Sequence, residues 1–224
     1  MDWTKDCAAI IPCFNEGDRI GSLIRDVREH LPFVLVVDDG STDDTAALAT
    51  AAGATVVRHG SNRGKGAALR VGFQYLRDHG FRWALTMDGD GQHSAADIPR
   101  FLAQADASDA DLIIGNRLGQ SKRIPWVRRK VNLWMTHRLS RLTGVPLADS
   151  QCGFRLLKLA FLERVVLTAD RFEIESELLL AVVRAGGKIA FVPVDVIYHY
   201  GHSKIHPAWD TWRWLRWWWR SRCG

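Results

Sequence analysis

Over the first 118 residues, apolar positions alternate between two patterns: short continuous runs, and stretches where they recur every third or fourth residue. The runs "AAIIPCF" (8–14), "FVLVVDDGS" (33–41), "ATVVRHG" (54–60), "RWALTMD" (82–88) and "ADLIIGNR" (110–117) read as strands. Between them, "DRIGSLIRDVREHL" (18–31) places Ile20, Leu23, Ile24, Val27 and Leu31 on one helical face. "STDDTAALATAAG" (41–53) opens on capping residues and closes on Gly53, and "GAALRVGFQYLRDHG" (66–80) closes on a glycine too. "DIPRFLAQA" (97–105) is a further helix.

Strands that are apolar throughout and alternate with helices predict an α/β protein with a mostly parallel central sheet and helices on both faces. In such sheets ligands sit beyond the carboxyl ends of the strands. There the loops "PCFNE", "DDGSTD", "HGSNRGKG", "DGDGQH" and "GNR" fall on one rim. After residue 118 the pattern changes. "WVRRKVNLWMTHRLSRLTG" (126–144) is a basic amphipathic helix, "ADSQCGFRLLK" a loop into a short segment, "IESELLLAVVRAGG" (174–187) a helix, and "KIAFVPVDVIYHY" (188–200) a strand. One domain over 1–224 is expected: a first half (about 7–118), a second half (119–206) and a tail (207–224).

The 224 residues suffice for one sizeable core, and the 47% apolar and 25% charged fractions are those of a soluble globular chain. A net charge of +5 leans toward an anionic partner. No apolar run reaches the ~18 residues of a membrane span, and the N-terminus does not read as a signal peptide. The four cysteines, without a C-x-x-C pair, read as reduced thiols.

Candidate chemistry concentrates at "LTMDGDGQH" (85–93), where Asp88 and Asp90 follow a buried strand. Two carboxylates held close repel, so something positive must face them. A hard divalent cation, Mg2+ or Mn2+, suits them, with Gln92 adding a carbonyl oxygen and a diphosphate completing the shell; the plainer alternative is a pair of surface acids in a turn. An EF-hand loop counted from Asp88 would need Gly at His93 and Glu at Pro99, so it fails. "HGSNRGKGAA" is not a Walker A loop, because three residues separate Gly60 from Gly64 and Gly66 follows Lys65. Lys65 is a phosphate neighbour at a helix start instead. Of Asp38 and Asp39, one is expected to orient the next loop through Ser41 and Thr42 and the other to meet a base or ribose, or both to cap.

With "IIPCFNE", "VVDDGSTDDT", "NRGKGAAL", "DGDGQH", "GNR" and "GFR" in this order, the chain resembles the family-2 glycosyltransferases, in the branch of dolichyl-phosphate mannosyltransferases and bacterial polyprenyl-phosphate glycosyltransferases. The resemblance covers about residues 7–205. It implies a GT-A fold and inverting transfer of a sugar from a nucleotide-diphosphate donor, a GDP- or UDP-sugar. The implied acceptor is a lipid phosphate, or alternatively a hydroxyl of a glycan or lipid. By the same resemblance Pro12, Phe14 and Glu16 line the nucleotide pocket, and Val37 and Asp39 meet base and ribose. Asp88, Asp90 and Gln92, with Gly89 between the acids, hold the metal. Arg117 and Arg129 face phosphates, Lys204 closes over the donor, and Asp149 and Arg155 lie in the segment lining the active site. Two positions depart from the mannosyl branch: Tyr198 replaces an arginine, and Leu133 an acceptor-side serine.

In such a transfer the cation and Lys204 stabilise the charge that develops on the leaving diphosphate. An anionic lipid phosphate needs little base catalysis, whereas a hydroxyl needs a general base, for which Asp149 and Glu175 are candidates. Glu175 and Glu177 equally suit a helix's first turn.

The tail carries six of the ten tryptophans, Trp209, Trp212, Trp214, Trp217, Trp218 and Trp219, with Arg213, Arg216 and Arg220 sharing one narrow face. It predicts a helix lying on the cytoplasmic leaflet of a membrane, or else an oligomer or packing interface. The expected location is cytoplasmic and peripheral to the membrane, with no nucleic-acid partner. His199, His202 and His206 read as surface or hydrogen-bonded histidines rather than a metal cluster. A haloacid-dehalogenase-like phosphatase would want Thr or Val where Gln92 stands. A nucleotide-sugar pyrophosphorylase would want a glycine- and arginine-rich loop in place of "PCFNEG". A non-enzymatic membrane scaffold remains the other alternative.

Overall fold

A computed structural model describes residues 1–118, 126–195, 197 and 207–221. Among the described residues, seven strands form one sheet in the order β3-β2-β1-β4-β6-β5-β7. They are β1 (Cys7–Cys13), β2 (Val34–Asp38), β3 (Thr55–Arg58), β4 (Trp83–Thr86), β5 (Leu112–Asn116), β6 (Arg155–Lys158) and β7 (Ile189–Pro193). The helices are α1 (Trp3–Asp6), α2 (Gly17–Arg28), α3 (Thr45–Ala51), α4 (Lys65–Asp78), α5 (Ile98–Ala107), α6 (Trp126–Thr143), α7 (Ile174–Arg184) and α8 (Pro207–Ser221).

The mostly parallel α/β sheet expected from the sequence is what forms. β1 pairs in parallel with both β2 and β4, with Ile10 opposite Leu35 and Thr86. Every residue of β2 and β4 is buried. Successive side chains alternate faces, so burial of all of them means that both faces are covered. Ile20, Leu23, Ile24 and Val27 form the buried stripe of α2, as their spacing requires.

The departure is β6. Its four residues run antiparallel to β4 and β5, with Thr86 opposite Arg155 and Ile113 opposite Leu156. A strand this short carries no readable period, so "ADSQCGFRLLK" reads from sequence only as a loop into a short segment. The insertion matters for the site. An antiparallel strand starts where its neighbours end, so residues 149–154 reach the same rim as the carboxyl ends of β4 and β5.

Two boundaries also differ. α3 begins at Thr45 rather than near Ser41, because Ser41 is drawn back to the preceding strand: its amide donates to Asp38 Oδ1 at 2.9 Å. β7 ends at Pro193, within the predicted 188–200 run. A four-residue helix, α1, precedes β1, and the Trp3 ring lies 5.6 Å from that of Trp83.

α4 lies against β1 at Gly72, where an added Cβ would stand 2.8 Å from Ile10 Cγ2. Helix propensity favours alanine over glycine by about 1 kcal/mol, yet Ile10 is fully buried in the core. Gly72→Ala is therefore expected to destabilise the protein by roughly 1–3 kcal/mol through overpacking, read as a lower urea midpoint. A midpoint raised by the substitution would contradict this packing.

Candidate active site

The rim begins where the loops after β1 and β2 are joined. Asn15 adopts a left-handed backbone, φ 52°, a conformation asparagine tolerates better than most side chains. From there its Oδ1 accepts the Thr42 amide at 2.8 Å, and its own amide donates to Ser41 Oγ at 2.9 Å. The Glu16 amide donates to Thr45 Oγ1 at 2.8 Å. These bonds hold Pro12, Phe14 and Glu16, all half-buried, beside the end of β2. Val37 is fully buried within β2.

The two acids after Val37 separate in role. Asp38 orients its own loop through Ser41, and its carboxylate pairs with Arg58 Nε at 3.0 Å. Asp39 is buried and organises the 59–64 loop. Its Oδ1 meets His59 Nδ1 at 2.7 Å and the Arg63 amide at 2.9 Å, and its Oδ2 accepts the Gly64 amide at 2.7 Å. In this arrangement both Asp39 oxygens already hold protein donors.

Asp88 and Asp90 follow β4 directly. The positive group facing Asp88 is the Lys65 ammonium, which also pairs with Glu175 at the start of α7. His93 Nε2 lies 3.4 Å from the other Asp88 oxygen. Burial pushes the Asp88 carboxyl up, but the Lys65 ammonium outweighs it and holds the group far below the usual carboxylate range. For Lys65 burial pulls down, and Asp88 and Glu175 together raise the ammonium above its ordinary value. The Asp88 carboxylate can sit this deep because residue 153 is glycine. A Cβ there would fall 2.7 Å from both Asp88 Oδ2 and Lys65 Nζ. Gly89 is similarly constrained, with Cys13 Sγ 2.8 Å from where its Cβ would be. Asp90 Oδ1 accepts the Gln92 amide at 3.0 Å, and the Gln92 carbonyl accepts the Ile197 amide at 3.0 Å.

One part of the sequence reading needs correction. The sequence reading makes Lys65 a phosphate neighbour at a helix start. Its side chain does reach the acidic pair, but the amides of Gly66 and Ala67 donate to the Asp170 carbonyl at 2.8 and 3.2 Å. Added Cβ atoms at Gly64 and Gly66 would meet the 169–170 backbone at 2.3 and 2.1 Å. The glycines of "RGKG" therefore admit a neighbouring chain segment, and that segment occupies the helix start.

On the other side of Asp88, Arg117 grips Asp149 in a two-pronged ion pair, Nε–Oδ2 2.8 Å and Nη2–Oδ1 3.1 Å. Asp149 is fully buried and also accepts the Gln151 amide at 3.0 Å. Burial raises its carboxyl, but the guanidinium prevails and holds it below the ordinary value. Arg155 is buried, with its donors on the carbonyls of Cys152 (2.7 Å), Glu175 (2.6 Å) and Ser150 (2.9 Å). It thus pins the 150–153 turn to the start of α7. Arg129 is exposed on the first turns of α6. Lys204 and the three histidines at 199, 202 and 206 lie outside the described residues.

A hard cation fits this donor set. Asp88, Asp90 and Gln92 offer oxygen donors, the ligand type Mg2+ and Mn2+ prefer, and among the described residues no group of three His, Cys, Asp or Glu side chains is gathered to hold a metal by itself.

The family model for glycosyl transferase family 2 matches residues 8–166, a span that carries every loop of this rim up to Arg155. The chain belongs to glycosyl transferase family 2. This glycosyltransferase is 35% identical over 178 residues to a polyprenol monophosphomannose synthase of Mycolicibacterium smegmatis, covering 74% of this chain and 66% of the relative. It is 26% identical over 212 residues to a UDP-N-acetylglucosamine–dolichyl-phosphate N-acetylglucosaminyltransferase of Methanococcus voltae, covering 84% of each. Among solved structures, the glucosyl-3-phosphoglycerate synthase of Mycobacterium tuberculosis in complex with Mn2+, UDP-glucose and phosphoglyceric acid superposes with a TM-score of 0.77. At 21% identity, over 98% of this chain and 80% of that one, the likeness establishes the shared GT-A fold.

Three contributors to the glycosyltransferase's site escape sequence reasoning. His93 enters the sequence reading as a failed EF-hand position and as the end of "DGDGQH", Gly153 as part of "GFR", and Gln151 only as a position within "ADSQCGFRLLK". Gly153 and Gln151 act through contacts between segments far apart in the chain, whereas His93 acts on Asp88 five residues before it.

The buried Arg117–Asp149 pair gives a pH test. Arg117→Met leaves a buried carboxylate without its counter-charge, at a cost of about 3–5 kcal/mol at neutral pH. In the variant the folded-state value of Asp149 moves above its unfolded value, so the defect is full at high pH and shrinks as pH falls through that raised value. Urea unfolding at pH 7 and pH 5 should show a smaller gap to the wild type at pH 5. An equal gap at both would refute the ion-pair account.

Proposed function

We propose that this glycosyltransferase moves a sugar, with inversion and with the help of Mg2+ or Mn2+, from a nucleotide-diphosphate donor to a polyprenyl phosphate at a membrane surface. The observation that carries the acceptor choice is the state of the two candidate bases. Asp149 is buried and held by Arg117 and Gln151, and Glu175 is paired with Lys65. Neither is placed to take a proton from a hydroxyl. A phosphate oxygen is already anionic and needs positioning rather than deprotonation, a task that suits the positive charge of Arg117, whose Nε and Nη2 hold Asp149, and the exposed Arg129 on α6. The names of the mycobacterial and methanococcal relatives agree with a lipid-phosphate acceptor.

On the donor side, Asp88, Asp90 and Gln92 would hold the cation, which when bound offsets the charge gathering on the leaving diphosphate. Lys65 stands beside Asp88 and can add its charge to the same region. The half-buried Pro12, Phe14 and Glu16 are the residues offered to the nucleoside, whereas Val37 is fully buried and both Asp39 oxygens hold protein donors, so those two support the pocket from behind; Lys204 lies outside the described residues. The presence of manganese and UDP-glucose in the mycobacterial synthase structure supports the cation on this fold.

The membrane part rests on α6 and α8. No described helix is long and apolar enough to cross a bilayer. Yet Trp126, Val127 and Leu133 on α6, and Trp209, Trp212, Leu215 and Trp219 on α8, are exposed. Lys130 lies 5.1 Å over the Trp126 ring and Arg216 lies 5.6 Å over Trp212. Indoles flanked by cations suit the headgroup level of an anionic leaflet. The tryptophans of the tail are divided, however: Trp214 is buried, and Trp217 and Trp218 pack beside it.

Two measurements test the reading. With manganese and a panel of GDP- and UDP-sugars, transfer should occur to a polyprenyl phosphate and not to the matching polyprenol. Asp88→Asn should lower kcat/KM at least ~100-fold. Equal transfer to the polyprenol, or full activity in excess chelator, would overturn it. Replacing Trp209, Trp212 and Trp219 together by alanine should weaken binding to anionic vesicles about tenfold or more. Unchanged flotation, with a change in oligomeric state instead, would make this face a protein interface.

A further inference from the structure

The buried tryptophan of the tail has a polar partner whose own contacts lead to the active site. Trp214, 2% exposed, sits among Met135, Leu139 and Trp134, with its ring stacked 6.3 Å from that of Trp218. Its indole N–H donates to Ser176 Oγ at 2.8 Å. Ser176 is fully buried in the first turn of α7 and accepts a second bond, from Gln151 Nε2, at 3.1 Å. The same Gln151 nitrogen reaches Ser150 Oγ at 2.9 Å, and Ser150 meets Thr136 Oγ1 of α6 at 3.0 Å. The Gln151 backbone amide donates to Asp149, which holds Arg117. Three helices thus fasten, through one small polar network, the two residues that follow Asp149.

Apolar packing would hold α8 on α6 without fixing its rotation, since dispersion contacts are not directional. A hydrogen bond between buried partners is directional, and leaving either partner unpaired costs about 1–3 kcal/mol. The Trp214–Ser176 bond therefore sets which face of α8 turns outward, and in the same step fixes the Ser176 oxygen that Gln151 needs.

We propose that Trp214 is a positioning residue for Arg117: seating of α8 orders the 149–153 turn through Ser176 and Gln151, so that a lipid surface engaging the outer face of α8 steadies the guanidinium held on Asp149. The second half rests on the membrane reading above. The first does not.

Hydrogen–deuterium exchange on the full chain tests both halves. Trp214→Phe keeps most of the ring and removes the N–H; Ser176→Ala keeps the tryptophan and removes its acceptor. Each should speed exchange across 149–153 about tenfold, and the double variant should be no faster than either single, because the two act through one bond. Trp214→Phe should also raise KM for polyprenyl phosphate about tenfold while leaving the affinity for manganese with a nucleoside diphosphate within about twofold, a split that general loosening would not produce. Anionic phosphatidylglycerol vesicles should slow exchange at 149–153 in the wild type and not in Trp214→Phe, which still binds them. Unchanged exchange in both single variants, additive effects, or an equal loss of donor affinity overturns the proposal. A wild type that binds vesicles with no change at 149–153 overturns its lipid half. A wild type that shows the whole exchange pattern yet transfers nothing to polyprenyl phosphate refutes the acceptor reading and leaves the Trp214 link intact.

Discussion

A single ammonium between two carboxylates organises the rim. Lys65 reaches from the first turn of α4 to Asp88 after β4 and to Glu175 at the start of α7. Without it, two acids would meet in a half-buried setting where repulsion is poorly screened. With it, elements from three distant parts of the chain share one centre of charge. The arrangement demands small neighbours: Gly153 leaves the space the Asp88–Lys65 pair occupies, and Gly64 and Gly66 let the 169–170 segment close over the helix start.

The second constraint is the direction of β6. Parallel strands deliver the loops after β1, β2, β4 and β5 to one rim, which accounts for the half of the site that carries Asn15, Asp39 and Asp88. A parallel strand in the sixth position would carry residues 149–154 to the opposite edge. Because β6 runs antiparallel between β4 and β5, the turn before it lies beside Asp88, and Asp149 comes within reach of Arg117 at the end of β5. Arg155, the first residue of that strand, then locks the turn by donating to three carbonyls. Its value to the site is the rigidity of the turn.

Much of this was legible in the sequence because it is local. Continuous apolar runs ending in glycine and acid give the parallel strands and the rim, and the D-x-D pair announces itself at β4. Ile20, Leu23, Ile24 and Val27 fix the face of α2. What was not legible depends on pairing across the chain. β6 is too short to show a period. The partners of Asp39 lie 20 to 25 residues away, and that of Asp149 lies 32 away. Spacing alone offers Asp39 to a ribose as readily as to the Gly64 amide. The tail shows the same limit: a helical wheel gathers Arg213, Arg216 and Arg220 correctly but cannot tell which tryptophans turn inward, since Trp212 and Trp214 are equally apolar as letters.

The division of those tryptophans is the step that joins the two ends of the molecule. An entirely lipid-facing tail needs no polar anchor in the protein, and an entirely buried one needs no exposed arginines. α8 has both: Trp209 and Trp219 are 64% and 67% exposed, while Trp214 is 2% exposed and hydrogen-bonded. α8 therefore presents one aromatic face outward and fastens the other to α6 and α7. The bond that fixes its rotation ends one residue from Glu175, whose carboxylate shares Lys65 with Asp88. On the proposed reading, an acceptor held in a lipid surface and a donor held on the sheet's rim must meet in one orientation. A helix that touched the first while fastened to the elements holding the second would be a direct physical means of setting that orientation.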